Sequence, residues 1–323
     1  MPWLRRNWFV LGLAAAVALA WLVPAVGASG GPLRTEVTAK AAVAVIFLAQ
    51  GLALAGAALQ RGFLRWRLHL LVQTWVFLLF PLLGLLLTGL AGGALPRELR
   101  LGLLFLCALP TTISTSIVFT TVAGGNTAGA IFNATVANRL GIVLTPVWTR
   151  WFVHAGGGAL PPLGPVLRDL LLLLFAPFAA GQALRWWLGR WADQRRRPLA
   201  VVNSGLVLFI VFAAFANSVQ GGVWRRQGAA TTLVACAAVG VLFAVVTAGV
   251  GLSLRAARLD RGDARAGFFC ASQKTLAAGV PMAQLLFGAD PGLGLILLPV
   301  MLYHPLQLVV QGLLAARWSR EPT

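Results

Sequence analysis

Ten long apolar runs follow one another along this chain, and that repetition constrains the fold more than any single motif. Read from their breaks, they cover residues 8–26, 38–60, 67–92, 99–123, 126–152, 164–187, 199–220, 229–254, 264–287 and 292–316. A run of about 20 apolar residues crosses the hydrocarbon core of a bilayer once as an α-helix. The runs are continuous rather than alternating, which excludes a transmembrane β-barrel. The expected fold class is therefore an all-α polytopic membrane protein with ten transmembrane helices. Composition agrees: 59% of the 323 residues are hydrophobic and 11% are charged, against roughly 25% charged in soluble domains. Neither a soluble globular domain nor a disordered chain has that balance. The first run, preceded by Arg5 and Arg6, has some character of a signal peptide. It is long enough to span, and further spans follow, so it reads as the first helix.

The formal net charge is +18. On a soluble segment such an excess would suggest nucleic acid, but here the basic residues fall in short clusters between apolar runs, with no aromatic-interleaved basic stripe. The expected partner is the lipid bilayer, not nucleic acid. Ten spans place both termini on one side. That side carries 16 basic residues and the other 8, with Arg139 and Lys274 inside spans. The bias puts both termini in the cytoplasm. Lys40 and Lys274 are the only lysines; this preference for arginine, with the Ala, Leu and Gly richness, suggests a GC-rich bacterial genome and hence a bacterial inner membrane. The cluster Arg190–Arg197 reads as a topology anchor that also meets anionic lipid. Cys107, Cys236 and Cys270 sit in apolar stretches as small hydrophobes, with no disulfide or metal framework implied.

The Gly- and Pro-rich stretch 155–165 separates five spans from five. Five is odd, so two such halves face opposite ways, as in an inverted repeat. The expected division is a first repeat over 1–155 and a second over 164–323. A repeat predicts a shared irregularity at matching positions, and one is present. The fourth span carries Pro110 followed by the hydroxyls of Thr111, Thr112, Ser114, Thr115 and Ser116. The ninth span, fourth of its half, carries Ser272, Gln273, Lys274 and Thr275, then Gly279 and Pro281. Polar groups and helix breakers at membrane depth are tolerated only where protein or a cavity satisfies the freed backbone. Paired broken helices mark a transporter's binding site. Asn133, Thr135 and Asn138 extend the polar region into the fifth span, while Asn126, after Gly124-Gly125, reads as a helix cap.

None of the eight acidic residues falls mid-span. A proton relay normally uses a buried carboxylate or histidine. His69 and His154 lie near span ends, and His304, next to Pro305, reads as packing beside a kink. Lys274 stands out as the deep charge in the ninth span. Its ammonium can occupy the place of a bound sodium, held by the same oxygens. It can instead attract an anionic substrate, give up a proton in each cycle, or snorkel to an interface. Arg139, equally deep, has no partner visible in the sequence.

The motifs Leu109-Pro110-Thr111-Thr112-Ile113-Ser114, Gly124-Gly125-Asn126 and Phe132-Asn133-Ala134-Thr135 resemble those of the bile acid:sodium symporter family. Cys270 to Ala277, Gly279-Val280-Pro281 and Tyr303-His304-Pro305 resemble its orphan SBF-like branch. The resemblance spans essentially the whole chain. It implies ten helices in two inverted five-helix repeats, a panel domain and a core domain each formed from both repeats, and a crossing of the broken fourth and ninth helices. Carried over by position, one sodium site falls on Thr115 and Ser116 with Asn133 and Thr135 near, and a second on Ser272 and Gln273. The family's ninth-helix glutamate has no counterpart in Phe269-Cys270-Ala271-Ser272-Gln273, and Lys274 follows. That departure implies altered or absent sodium coupling.

These readings point to a secondary transporter that moves a small organic anion by alternating access, without an organic cofactor and with sodium as the candidate coupling ion. A membrane enzyme would need paired carboxylates, a metal cluster or a nucleophile with its base; no HExxH or acidic pair occurs, and no histidine is expected near the polar cluster. The alternative is a non-transporting membrane partner that regulates ion homeostasis, in which the polar centre is dispensable and the loops matter.

Overall fold

The computed structural model describes residues 2–53, 65–155, 168 and 171–320. All the regular structure among them is helical. The first half of the chain forms α1 (Pro2–Leu22), α2 (Pro24–Gly27), α3 (Thr35–Ala53), α4 (Trp66–Thr74), α5 (Phe80–Ala91), α6 (Arg97–Ala108), α7 (Ser114–Val122) and α8 (Thr127–Ala155). The second half forms α9 (Ala176–Gln194), α10 (Arg196–Gln220), α11 (Val223–Ala256), α12 (Arg261–Ser272), α13 (Leu276–Phe287) and α14 (Leu293–Trp318). Six helical stretches among the described residues are long and apolar enough to cross a membrane. Large apolar side chains lie exposed along them, such as Leu86, Leu90, Leu233 and Leu313. Such a surface is at home in lipid and would be a liability in water. The chain is thus a helical, polytopic membrane protein. The linker 155–165, the start of the 164–187 run and the end of the 38–60 run lie largely outside the described residues.

Two compact units divide the chain. The first comprises Met1–Ala55, Ala159–Ala230 and Ala277–Leu298; the second comprises Gly56–Gly158, Thr231–Leu276 and Pro299–Thr323. In the first, α3 packs closely on α9 because glycines allow the backbones to touch. A Cβ on Gly51 would collide with the Phe178 carbonyl, and one on Gly181 with the Leu48 carbonyl. Small residues take this role in membranes because lipid offers helices no hydrophobic drive to associate. Asn217 acts as local glue in this unit, accepting from Ser29 N at 2.8 Å and donating to the Ala213 carbonyl at 3.0 Å.

The second unit holds both breaks that the sequence predicts, and a third irregularity that it does not. Trp75–Leu79 forms a π-helical turn between α4 and α5. The Phe80 N–H bonds the Trp75 carbonyl, one residue further back than in a regular helix. Pro81, immediately after, has no N–H to give. Together the bulge and the proline release the Val76 and Phe77 carbonyls. Trp148 Nε1 satisfies Phe77 at 2.8 Å; Val76 is taken up at the site described below. Asn126 caps α8, accepting from Gly129 N at 2.9 Å. It also ties the start of α8 to the start of α12, through Asn126 N to the Gly262 carbonyl at 2.8 Å and Asn126 Nδ2 to Asp263 Oδ1 at 2.6 Å. Asp260 caps α12 itself by accepting from Asp263 N.

Candidate functional site

The fourth run is helical to Ala108, non-helical over 109–113, and helical again from Ser114. Pro110 cannot continue α6, and it biases Leu109 toward extended backbone, where Leu109 sits at φ −67° and ψ 150°. The break leaves a run of buried carbonyls that need donors in a dry interior. Each of five consecutive carbonyls receives one. Lys274 Nζ donates to Cys107 O at 2.8 Å and to Leu109 O at 2.6 Å. Thr145 Oγ1 donates to Ala108 O at 2.9 Å, and Thr275 N to Pro110 O at 3.0 Å. Asn138 Nδ2 donates to Thr111 O at 2.9 Å. Gly141 makes room for the proline ring: a Cβ there would lie 2.6 Å from Pro110 Cγ.

The ninth run breaks over residues 273–275, between α12 and α13. Here α14 supplies the partners. Gln307 forms a reciprocal amide pair with the Lys274 backbone, accepting from Lys274 N and donating to Lys274 O, both at 2.9 Å. Tyr303 OH donates to Ser272 O at 2.7 Å. Gln311 accepts from Gln273 Nε2 at 2.8 Å and donates to Ser272 Oγ at 2.9 Å. The two breaks meet through side chains as well. Gln273 Oε1 accepts from Thr115 Oγ1 at 2.8 Å and from Thr112 Oγ1 more closely, and the two hydroxyls lie 2.7 Å apart.

Lys274 is at the centre of this network and is fully buried. Its ammonium has three donors, and the third goes to Val76 O at 3.0 Å, the carbonyl freed by the π-helical turn. The charge also sits 4.0 Å from the centroid of the Phe80 ring, a favourable cation–π arrangement. Two of the three carbonyls cluster at the C-terminal end of α6, where the helix dipole favours a cation. No carboxylate pairs with it among the described residues. Main-chain carbonyls freed at helix breaks are the groups that coordinate cations in broken-helix transporters, and here an ammonium occupies three of them.

Of the residues that the sequence singles out, Thr111, Thr112, Thr115, Asn138, Ser272, Gln273, Lys274 and Thr275 come together here. Thr111 Oγ1 is buried with no protein partner among the described residues. Ser116 lies alongside, its hydroxyl donating to the backbone of Thr112 at 2.5 Å and Ile113 at 3.2 Å. Ser114, at the first turn of α7, is exposed. Thr135 is buried on α8 and makes no hydrogen bond to this network among the described residues. Asn133 belongs to a different cluster, with its Nδ2 3.0 Å from His69 Nδ1 and its Oδ1 accepting from Gln73 Nε2 at 3.2 Å.

Two of the histidines lie in hydrogen-bonded clusters. His69 packs on Phe132 with 4.1 Å between ring centroids and meets Asn133, 64 positions away in sequence. His304 is more than packing beside a kink: its Nδ1 is 3.0 Å from Gln307 Nε2, directly behind Lys274. Arg139 is only half-buried. Sequence reasoning missed Gln307, Gln311 and Tyr303. The available signal was two glutamines four residues apart in an apolar run, which places two costly amides on one helix face.

The residue pattern of the SBF-like CPA transporter family matches residues 7–320. The uncharacterized protein PA2026 of Pseudomonas aeruginosa is 38% identical over 97% of this chain and 92% of its own length. YfeH of Escherichia coli is 35% identical over 97% of this chain and 93% of its own. Sodium/bile acid cotransporter 7 of Danio rerio is 31% identical over 96% of this chain and 93% of its own. The resemblance expected from the Pro110 and Lys274 motifs is met across the whole chain.

Proposed function

The chain belongs to the SBF-like CPA transporter family, and on that premise we propose that it moves a small organic anion by alternating access, with the Lys274 ammonium standing where a coupling sodium would bind. The observation that carries this reading is the seat of Lys274 Nζ, on three main-chain carbonyls from two broken elements with no carboxylate beside it among the described residues. A sodium ion placed there would bring a second positive charge within contact distance of the ammonium, at a cost of several kcal/mol in a low-dielectric interior. Of the residues where the resemblance places sodium, Thr115 and Gln273 bond each other and Thr112, and the Ser116 hydroxyl bonds backbone. The net positive charge of the buried ammonium, with no carboxylate beside it among the described residues, favours an anion as cargo through its field rather than by contact. Under this reading the ten apolar runs are ten spans in two inverted five-helix repeats, the two compact units are the panel and the core, and both termini face the cytoplasm of a bacterial inner membrane.

The test is uptake into proteoliposomes of labelled carboxylates and sulfonates, bile acids included because a relative's name carries them. The inward gradient is sodium in one arm and choline in the other. The expected result is uptake of at least one anion at equal rates in both arms. Uptake accelerated severalfold by sodium contradicts the substituted-ion reading. No flux of any anion, from correctly folded protein, contradicts transport and favours a regulatory partner.

A further inference from the structure

A second place on the molecule combines charge and apolar surface, lined in part by the start of the helix that leads into the second break. In the second unit, the end of α11, the turn that follows it, the start of α12 and the end of α14 enclose an open groove of about 880 Å³. Four arginines line it: Arg255, Arg258, Arg261 and Arg265. Between them lies apolar surface, including Leu252 and Trp318. Trp318 is fixed in place by edge-on contact with Phe268, with 5.0 Å between ring centroids.

The arginines are not equivalent. Arg265 is buried and committed, donating from Nη1 to the Ala123 carbonyl at 2.5 Å. That bond holds the turn between α7 and α8. Arg255 and Arg258 are exposed, and neither forms an ion pair among the described residues. Arg258 also sits at φ +50°, a left-handed conformation beyond the end of α11 that glycine adopts far more readily. The turn therefore carries a cation at a position whose backbone favours glycine. Asp260 and Asp263, the acids nearest in sequence, are turned to Arg65, Asn126 and the α12 cap. The groove keeps an unneutralised positive charge against an apolar floor, with a tryptophan at its edge of the kind that marks the membrane interface.

We propose that this groove binds the headgroup of an anionic phospholipid, with the phosphate at Arg255 and Arg258 and an acyl chain along Leu252 and Trp318. Charge complementarity selects the occupant: basic pockets between transmembrane helices receive anionic headgroups, and guanidinium groups pair with phosphate oxygens through paired N–H donors. A soluble phosphate would leave the apolar floor uncovered, and a zwitterionic lipid would bring its own cation to the arginines.

The experiment is native mass spectrometry of the full-length protein in detergent, titrated with palmitoyl-oleoyl phosphatidylglycerol, palmitoyl-oleoyl phosphatidylcholine or inorganic phosphate. Wild type is expected to retain one phosphatidylglycerol in preference to phosphatidylcholine. Arg255→Gln with Arg258→Gln is expected to weaken that retention by about thirtyfold. Arg258→Lys should retain most of it. Arg34→Gln with Lys40→Gln, exposed residues outside the groove, should leave it unchanged. The two arginines of the test are exposed, and the same spectra report whether the variant is folded. Equal retention of both lipids, inorganic phosphate displacing phosphatidylglycerol at equal concentration, or a double variant that binds like wild type would each overturn the proposal.

Discussion

Replacing Gln307 by leucine removes the clamp on the Lys274 backbone without opening a cavity, since the two side chains are close in size. Gln307 is fully buried and satisfies both the N–H and the C=O of Lys274 at 2.9 Å. Leucine leaves both groups unpaired in the interior. Each orphaned buried group costs about 1–3 kcal/mol, so the variant should lose on the order of 3 kcal/mol after local relaxation. For a chain of this size that corresponds to a fall in Tm of about 6 °C. Gln311→Leu is the comparator. Gln311 bonds only the side chains of Gln273 and Ser272, and Ser272 Oγ keeps its bond to the Phe268 carbonyl, so its loss should be about half as large. The assay is thermal unfolding in detergent with a thiol-reactive fluorophore, in a Cys236→Ser background because Cys236 is exposed, whereas Cys107 and Cys270 are buried and react only on unfolding. A Gln307→Leu variant within about 1 °C of wild type would refute the view that α14 holds the second break open.

Further outcomes follow from the same geometry. Gly51→Val or Gly181→Val should cost several kcal/mol, seen as a large fall in Tm or failure to purify as a monodisperse species, because a side chain at either position meets backbone of the facing helix. Asp263→Ala should lower stability by about 2 kcal/mol in the same thermal assay, since it strands the Asn126 amide beside a buried position. Arg65→Gln should cost about 1–2 kcal/mol, because besides its exposed pair with Asp260 it faces the buried carboxylate of Asp263 at 3.5 Å. Thr112→Val should cost about 1 kcal/mol through its bonds to Gln273 and Thr115, whereas Ser114→Ala, on an exposed turn, should stay within about 0.5 kcal/mol. The reverse order would mean that the crossing is not held by this hydroxyl network.

Much of this arrangement is legible before any coordinates. Pro110 in an apolar run announces a break, and the dense hydroxyls after it announce that something satisfies the polar groups. Lys274 announces itself as a deep cation in a chain that otherwise uses arginine. Six helical stretches long enough to cross a membrane overlap apolar runs read from the sequence, because a crossing needs about 20 apolar residues. What is not legible is which donor meets which acceptor. The carbonyls of Cys107 and Leu109 precede Lys274 by more than 160 positions, and no local pattern encodes that meeting. The π-helical turn at Trp75–Leu79 is hidden for a different reason. An apolar run looks the same whether its hydrogen bonds step back four residues or five, and Pro81 marks only that one donor is missing. Asn133 stands beside the other fifth-span polar residues in sequence, yet its position on the helix turns it to His69 and Gln73.

The most direct test of the central claim compares the thermal stability of purified wild type and Lys274→Ala in sodium chloride and in choline chloride. Removing the ammonium leaves the carbonyls of Val76, Cys107 and Leu109 facing one another, a set of oxygens that a sodium ion can use. A ligand that binds only the folded state adds about 2.7 kcal/mol at a hundredfold excess over its Kd. The account predicts that wild type is indifferent to sodium and that Lys274→Ala is destabilised in choline and recovers several degrees in sodium. Wild type stabilised by sodium, or an alanine variant that gains no sodium response, would contradict it.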